Sequence, residues 1–120
     1  MITMTPTILI VDDHPSFRTT ARALLAAEGY EVVGEAVDGC SAIEAARRLL
    51  PDVVLLDVQL PDTDGFAVAA ELSRDAQPPA IVLTSSRDAG DFGPLIAESG
   101  ARGFVAKADL CGSSLTDALR

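Results

Sequence analysis

Four short apolar runs recur along the chain, and polar residues follow each of them directly. The runs are ILIV, VVLL, AIVL and GFVA, which begin at Ile8, Val53, Ala80 and Gly103. Short runs of mainly aliphatic residues between turn-forming residues are typical of strands that are buried on both faces. The longer segments between them carry apolar residues at helical spacing. This alternation predicts a parallel sheet covered by helices.

The full pattern predicts five strands and five helices in strict alternation. The strands are predicted at residues 7–11, 30–36, 53–57, 80–83 and 103–106. The helices are predicted at residues 16–28, 41–50 and 66–74, from residue 93 or 94 to residue 99, and from residue 113 or 114 onward. This is the element order of an α/β, doubly wound, flavodoxin-like (βα)5 sandwich, for which we expect a five-stranded parallel sheet in the order 2-1-3-4-5.

Several segments have a more specific expectation. Residues 3–7 are predicted as an irregular lead-in, and residues 38–39 as a turn. The second strand carries Glu31 and Glu35, which indicates an exposed edge strand. The fourth helix is expected to be short, because glycine and proline within residues 90–94 cost roughly 1 and 3 kcal/mol in a helix interior. The last helix is expected to be either truncated at the end of the chain or unusually short.

Composition narrows the class of protein. A chain of 120 residues, with 48% hydrophobic residues, is expected to form one domain, at residues 1–120, with an aliphatic core. The net charge of -9 argues against binding of a nucleic-acid backbone by this domain. Cys40 and Cys111 are expected to be reduced thiols. No run is long enough to span a membrane, and residues 1–6 lack the features of a signal peptide, so a cytoplasmic location without membrane contact is expected.

Polar residues with complementary chemistry follow four of the predicted strands. Asp12 and Asp13 follow the first strand, Asp57 ends the third, Thr84 follows the fourth and Lys107 follows the fifth. The carboxyl ends of parallel strands lie along one edge of the sheet, where open α/β sheets bind their ligands. We therefore expect these five side chains to form one small site that accepts a phosphoryl group.

Each residue type has a physical reason to be there. Adjacent carboxylates raise each other's pKa unless a cation neutralises them, and Mg²⁺ binds one or two carboxylates together with phosphate oxygens. Asp57 could complete the coordination and act as nucleophile, because carboxylates form acyl phosphates when cations offset the charge. Thr84 would donate its hydroxyl to a phosphoryl oxygen, and Lys107 would supply a compensating charge.

These motifs resemble those of response-regulator receiver domains of bacterial two-component signalling. The resemblance covers essentially the whole chain and rests on five motifs, which are VDDHP from Val11, LLD ending at Asp57, LPDTDG ending at Gly65, LTS from Leu83 and FVAK ending at Lys107. The DDHP and KADL segments are most similar to the subfamily whose receivers precede a helix-turn-helix DNA-binding output domain. That effector domain is expected to lie outside residues 1–120, so any DNA binding would depend on it.

The resemblance implies a role for each residue of the site. Asp57 would be the phosphoacceptor, which receives its phosphoryl group from a histidine kinase or a phosphotransfer protein. Asp12, Asp13, Asp57 and the backbone carbonyl of Gln59 would hold Mg²⁺. Lys107 would contact the phosphoryl group. Catalysis would be confined to transfer onto the domain itself and slow autodephosphorylation, so the domain is not expected to be an enzyme.

The resemblance also implies a switch. Thr84 and Phe104 would form the switch pair, with Phe104 in place of the more common tyrosine. Their movement would alter an interaction or dimerisation surface at the fourth helix, fifth strand and fifth helix, with a homodimer or the release of an effector domain as output. Gln59 and Ser86 would border the site and influence hydrolysis of the acyl phosphate.

Other residues near the motifs have simpler expectations. His14 is not expected to bind the metal, because its neighbours are hard oxygen ligands and a helix begins after it. Asp62 and Asp64 are expected to be turn residues. Gly65 is expected where the chain turns sharply.

Three alternative functions remain to be weighed. A phosphatase with an aspartyl nucleophile would need an acid two residues after Asp57, where the chain has Gln59. A flavin mononucleotide binder would need a hydroxyl-rich phosphate loop after the first strand, where the chain has acids. A receiver-like interaction module that works without phosphorylation is disfavoured by the intact acids and Lys107.

Overall fold

A five-stranded parallel sheet forms the centre of the molecule in the computed structural model, which describes residues 5–119. Its strands are β1 (Thr7–Val11), β2 (Glu31–Ala36), β3 (Val53–Asp57), β4 (Ala80–Ser85) and β5 (Gly103–Ala106). Their order, β2-β1-β3-β4-β5, confirms the predicted topology. The predicted lead-in lies partly outside the described residues.

Five helices connect and cover the strands. They are α1 (Pro15–Ala27), α2 (Gly39–Leu49), α3 (Gly65–Leu72), α4 (Leu95–Glu98) and α5 (Gly112–Leu119). Short 3₁₀ turns at Ala89–Asp91 and Lys107–Asp109 precede α4 and α5. The expectation of a short fourth helix is confirmed, because α4 has four residues, preceded by Pro94.

The core consists of two layers, one on each face of the sheet. Leu9, Val54 and Leu56 point into the layer beneath α2 and α3, while Ile8 and Leu55 point into the layer beneath α1 and α5. All five side chains are fully buried. Burial of a large aliphatic side chain contributes about 1.5–3 kcal/mol to the stability of the fold, so β1 and β3, which carry these residues, are firmly anchored in the core. β2 lies at one edge, as its glutamates predicted.

Strand register determines which residues stand side by side at the carboxyl edge. Asp57, the last residue of β3, is the register partner of Thr84 on β4, and Thr84 is in turn the partner of Val105 on β5. On the other side, Val11 of β1 pairs with Leu56, so Asp12 follows directly beside Asp57. The sheet itself therefore places the predicted acids next to one another.

The starts of α2 and α3 give three acids that were predicted in turns a further role. Asp38, predicted in a turn, is the N-cap of α2, and its carboxylate accepts the Ser41 N–H at 2.8 Å. Asp62 accepts the backbone N–H groups of Gly39 and Cys40 at 2.7 and 3.0 Å. Asp64 caps α3 through the N–H of its third residue. These acids are helix caps rather than simple turn residues, because a helix start leaves N–H groups without partners. The hydrogen bond from Gly39, followed by that from Cys40, lowers the pKa of Asp62.

Gly65 is required for a reason other than the predicted sharp turn. Its backbone is not in the left-handed region. Instead, a Cβ atom there would overlap the carbonyl oxygen of Asp57 and would lie 2.9 Å from the Cα atom of Val58. The glycine lets the start of α3 pack directly against the end of β3, where its N–H donates to the Val58 carbonyl at 2.7 Å.

Gly65→Ala is therefore expected to lower the free energy of unfolding by roughly 1–3 kcal/mol, the cost of overpacking against a rigid backbone. Urea denaturation measures this loss. Gly90→Ala is the matched control, because a Cβ atom there meets nothing within 4 Å. Equal stability of the two variants would contradict the close-packing explanation.

Candidate functional site

Side chains from three strand ends converge at the carboxyl edge of the sheet. The ammonium nitrogen of Lys107 lies 2.6 Å from Asp12 Oδ2 and 3.2 Å from Asp57 Oδ2. Asp12 is fully buried and Asp57 is 3% exposed, whereas Asp13 is exposed at the rim. The structure thus brings together the four charged residues that the sequence analysis assigned to one site.

Asp57 is held in a fixed orientation. Its Oδ1 atom accepts the backbone N–H of Gln59 at 3.2 Å, while Oδ2 faces Lys107. Burial and then the neighbouring charge of Asp12 raise the pKa of Asp57, although Lys107 and the N–H of Gln59 offset part of this rise. Asp57 is consequently a buried carboxylate whose ionised form is destabilised by burial and by the charge of Asp12.

Asp12 and Lys107 stabilise each other's charged forms. Burial opposes ionisation of Asp12, but the short ion-pair contact with Lys107 and the hydrogen bond from the backbone N–H of His14 outweigh it and lower the pKa of Asp12. Burial likewise opposes the charge on Lys107, yet Asp12 and Asp57 raise its pKa. Lys107 also lies 4.5 Å from the ring centroid of Phe17, a cation–π contact that holds the ammonium inside the site.

The donor set fits a divalent cation. Asp12, Asp13, His14 and Asp57 each offer one ligand atom, and these atoms lie within 4.8 Å of one another. Asp12 and Asp57 share the ammonium of Lys107, while Asp13 lies beside His14. Asp12 Oδ2 is buried without a well-oriented hydrogen bond, despite its short ion-pair contact with Lys107. Because uncompensated buried charge is costly, the site favours an additional cation, and oxygen ligands suit Mg²⁺.

Three residues around the acids were not assigned to the site from the sequence. His14 Nδ1 lies 3.0 Å from Asp12 Oδ1 and 3.1 Å from Asp13 Oδ1. Arg18 donates to the backbone carbonyl of Asp12 at 2.7 Å, and Phe17 lies beneath Lys107. The only sequence signal for them was their position within one helical turn of the acid pair, which is too general to identify a contact.

Thr84 does not face Asp57 in this conformation. Its hydroxyl is fully buried and donates to the carbonyl of Val105 at 2.6 Å, across the β4–β5 pair. A role as hydrogen-bond donor to a phosphoryl oxygen therefore requires this hydrogen bond to break. Gln59 and Ser86, predicted to border the site, are both exposed, and of the two Gln59 contacts Asp57 directly.

The predicted switch residue Phe104 belongs to a chain of aromatic rings. Its ring centroid lies 5.7 Å from that of Phe92, which lies 5.5 Å from that of Phe66. All three rings are half-buried against the core layer beneath α2 and α3. The sequence analysis did not identify Phe92, because it lies between glycines in a segment without helical periodicity.

Among the described residues, no helix has the length and apolar character that crossing a membrane requires.

Comparisons with known proteins agree with this architecture. The family model for the response regulator receiver domain matches residues 8–118. The chain is 37% identical over 100 residues to the virulence regulator BvgA of Bordetella pertussis, and this match covers 83% of the chain and 48% of the relative. It is 40% identical over 101 residues to the probable transcriptional regulatory protein NarL of Mycobacterium tuberculosis, covering 83% of the chain and 47% of that relative.

The chain thus spans about half the length of the curated relatives that it matches. Among solved structures, it is similar to the signal receiver domain of NarL from Mycobacterium tuberculosis, with a TM-score of 0.84 and 35% identity, over 97% of this chain and 98% of that one. The fold, the arrangement of acids and the family match lead to the same conclusion: the chain belongs to the response regulator receiver domain family of two-component signalling, and its relatives are transcriptional regulators.

Proposed function

We propose that Asp57 is the phosphoacceptor of this receiver domain and that its phosphorylation depends on Mg²⁺. The observation that carries the proposal is the position of Asp57, a nearly buried carboxylate with one oxygen held by a backbone N–H and the other by Lys107. A carboxylate in this setting is poised to attack phosphorus, since its orientation is fixed and its negative charge is incompletely offset.

The transfer itself exchanges one bond for another. A carboxylate oxygen of Asp57 forms a bond to phosphorus, and the bond between phosphorus and the donor nitrogen or oxygen breaks, with the electron pair leaving on the donor. Lys107, already 3.2 Å from Asp57, would pair with the negative phosphoryl oxygens. The donor would be a histidine kinase or a phosphotransfer protein, and small acyl phosphates would replace it in vitro.

Mg²⁺ would be held by Asp12, Asp13, Asp57 and the backbone carbonyl of Gln59. When bound, it would neutralise charge on the phosphoryl oxygens and the carboxylates. Asp12 is positioned for this role by its burial and by the backbone N–H of His14, which donates to Asp12 Oδ1 at 2.8 Å. Gln59 and Ser86 are exposed at the mouth of the site, where they would influence access of hydrolytic water.

Phosphorylation would switch the domain through Thr84 and Phe104. The Thr84 hydroxyl would leave the carbonyl of Val105 for a phosphoryl oxygen, and Phe104 would move into the vacated space. This movement would shift a two-state equilibrium at the face formed by α4, β5 and α5. The output would be homodimerisation or release of a DNA-binding effector domain. Receiver domains are not enzymes in the usual sense, and catalysis here would be limited to the domain's own phosphorylation and slow dephosphorylation.

Incubation with acetyl phosphate and Mg²⁺ is expected to add the mass of one phosphoryl group to the intact protein. Chelation of the metal should prevent the addition, because the acids would then repel the incoming phosphate. Beryllofluoride, which mimics a phosphoryl group without being hydrolysed as an acyl phosphate, separates absence of transfer from rapid hydrolysis. Absence of both the adduct and beryllofluoride binding would refute the proposal and favour a phosphorylation-independent interaction module.

A further inference from the structure

We propose that His14 is a direct ligand of the divalent cation at this site through Nδ1. Consequently, the site would favour first-row transition cations that accept nitrogen ligands, represented by Ni²⁺, relative to an all-oxygen site. This inference deepens the proposed function, because it concerns the same cation site, but it does not require that Asp57 be phosphorylated. It reverses the expectation from the sequence, where hard oxygen neighbours argued against the imidazole.

The distances between the ligand atoms support this role. His14 Nδ1 lies 3.0 Å from Asp12 Oδ1 and 3.1 Å from Asp13 Oδ1. In an octahedral complex with metal–ligand distances of about 2.1 Å, neighbouring ligand atoms lie about 3.0 Å apart, which is √2 times that distance. The imidazole nitrogen is therefore already spaced from each of the two carboxylate oxygens like a neighbouring ligand of one small cation.

A hydrogen-bonding role accounts less well for the position of the ring. His14 Nδ1 is within hydrogen-bond distance of Asp12 Oδ1, but one Nδ1–H group offers a single proton to two carboxylate oxygens that both lie within 3.1 Å of it. His14 is the N-cap residue of α1, but its side chain makes no capping hydrogen bond. The backbone N–H of His14 donates to Asp12 and so keeps the residue beside this acid. The His14 side chain is 64% exposed, so burial does not explain the orientation of the ring.

The buried acid provides a second, independent indication of a cation. Asp12 Oδ2 is fully buried and lacks a well-oriented hydrogen bond, and the ammonium of Lys107 is its closest compensating charge. That ammonium is shared with Asp57, so two buried carboxylates share one positive charge. A divalent cation bound between Asp12, Asp13 and His14 would add positive charge on the other side of the same carboxylate, where Asp12 Oδ1 faces the imidazole.

The imidazole changes which cations the site prefers. Nitrogen ligands suit nickel, zinc, copper and iron, whereas Mg²⁺ prefers oxygen, and affinities of mixed sites rise from Mn²⁺ towards Ni²⁺. Removing the imidazole should therefore weaken Ni²⁺ binding far more than Mg²⁺ binding, because a water molecule readily replaces nitrogen on Mg²⁺. The ratio of the two affinities is the quantity that identifies a direct ligand.

The chain makes this test unusually clear, because His14 is its only histidine. In tag-free protein loaded with Mn²⁺, electron spin-echo envelope modulation should show an imidazole nitrogen coupled to the metal. The signal should be absent from His14→Gln. Calorimetric titration without any phosphodonor should show that this substitution lowers the ratio of Ni²⁺ to Mg²⁺ affinity ~10-fold or more, since even loss of an outer partner of a ligand costs 10–100-fold.

Two controls keep the result specific. All variants carry Cys40→Ser and Cys111→Ser, because free thiols also bind Ni²⁺. Asp13→Asn should weaken the binding of both cations, which would show that they bind at the same site. A nitrogen signal that persists in His14→Gln, or equal losses of Ni²⁺ and Mg²⁺ affinity, would overturn the proposal. Failure of acetyl phosphate to modify Asp57 would refute the proposed function and leave these binding results unaffected.

Discussion

Replacing Asp57 with asparagine is expected to abolish phosphoryl transfer to the chain completely. The amide has no anionic oxygen to attack phosphorus, while its size and its contact with the N–H of Gln59 are retained. Intact mass after incubation with acetyl phosphate and Mg²⁺ measures the loss. Asp62→Asn is the matched control, because Asp62 is an exposed acid in the loop that follows β3 and asparagine keeps one acceptor oxygen for the N–H of Gly39.

The control should gain the same phosphoryl adduct as the unsubstituted chain. An adduct of normal abundance on Asp57→Asn would show that another carboxylate or the single histidine accepts the phosphoryl group. Peptide mapping under conditions that preserve acyl phosphates would then locate it. That result would refute the assignment of Asp57, even though the buried site and the family membership would stand.

The same substitution is also expected to stabilise the unphosphorylated fold in chelator. Burial and then the charge of Asp12 raise the pKa of Asp57, so the folded state holds a proton more tightly than the unfolded chain. The ionised carboxylate therefore destabilises the fold, a contribution that is absent below the unfolded-state pKa and grows as pH rises through the folded-state pKa. Asparagine removes it, with a gain of roughly 1–2 kcal/mol at neutral pH, the order of one buried polar group's desolvation.

This difference in stability should shrink as the pH falls, because protonated Asp57 is as neutral as asparagine. Thermal unfolding of both proteins across the acid range measures the trend. A variant that is less stable than the unsubstituted chain at neutral pH would contradict the argument. It would mean that the ion pair between Asp57 and Lys107 outweighs burial and repulsion by Asp12.

The sheet and the charged residues of the site were predictable because both depend on short-range patterns. Apolar runs such as residues 53–56 cannot be exposed, and four of them, with a fifth strand at residues 30–36 and helices between all five, leave few arrangements other than a parallel sheet. Once the strands are parallel, every residue that follows a strand lies at one edge. Asp12, Asp57 and Lys107 were therefore placed together by topology alone, although they are far apart in the sequence.

The features that escaped prediction depend on contacts between distant segments. Asp62 resembled a turn residue because its partners, the first N–H groups of α2, are 22 and 23 residues away. The role of Gly65 required the position of the Asp57 carbonyl, and the direction of the Thr84 hydroxyl required the carbonyl of Val105. The contact of His14 with two carboxylates depends on the path of the backbone between β1 and α1, which residue type alone does not determine.

Lys107→Met is expected to be the most destabilising single substitution at the site. The change leaves Asp12 and Asp57 buried side by side without the ammonium that now lies 2.6 and 3.2 Å from them. Breaking a buried ion pair by removing one partner costs about 3–5 kcal/mol, because the remaining charge is uncompensated. Methionine keeps most of the aliphatic stem, so the loss measured by urea denaturation in chelator reports mainly the missing charge.

The pH dependence distinguishes lost charge from lost packing. Without Lys107, the pKa values of both acids rise in the folded variant, so its stability increases as the pH falls through those raised values. In the unsubstituted chain, the pH dependence from Asp12 is reversed. Its pKa is lowered in the folded state, so ionised Asp12 stabilises the fold, and this stabilisation is lost as the pH falls through the lowered pKa. The difference between the two proteins should therefore narrow in acid. Arg47→Met, which removes an exposed ion pair with Asp75, should cost much less and show no such trend.

A pH-independent loss in Lys107→Met would instead indicate that the aliphatic stem and its contact with Phe17 stabilise the fold. If the acid-reversible loss is observed, Lys107 is the cation that makes two buried carboxylates tolerable before any metal binds. A phosphoryl group on Asp57 would then compete with Asp12 for the same ammonium. Because Lys107 directly follows β5, that competition would pull on the strand that carries Phe104 and accepts the Thr84 hydroxyl. The charge balance of the acid site would in this way be coupled mechanically to the α4–β5–α5 face.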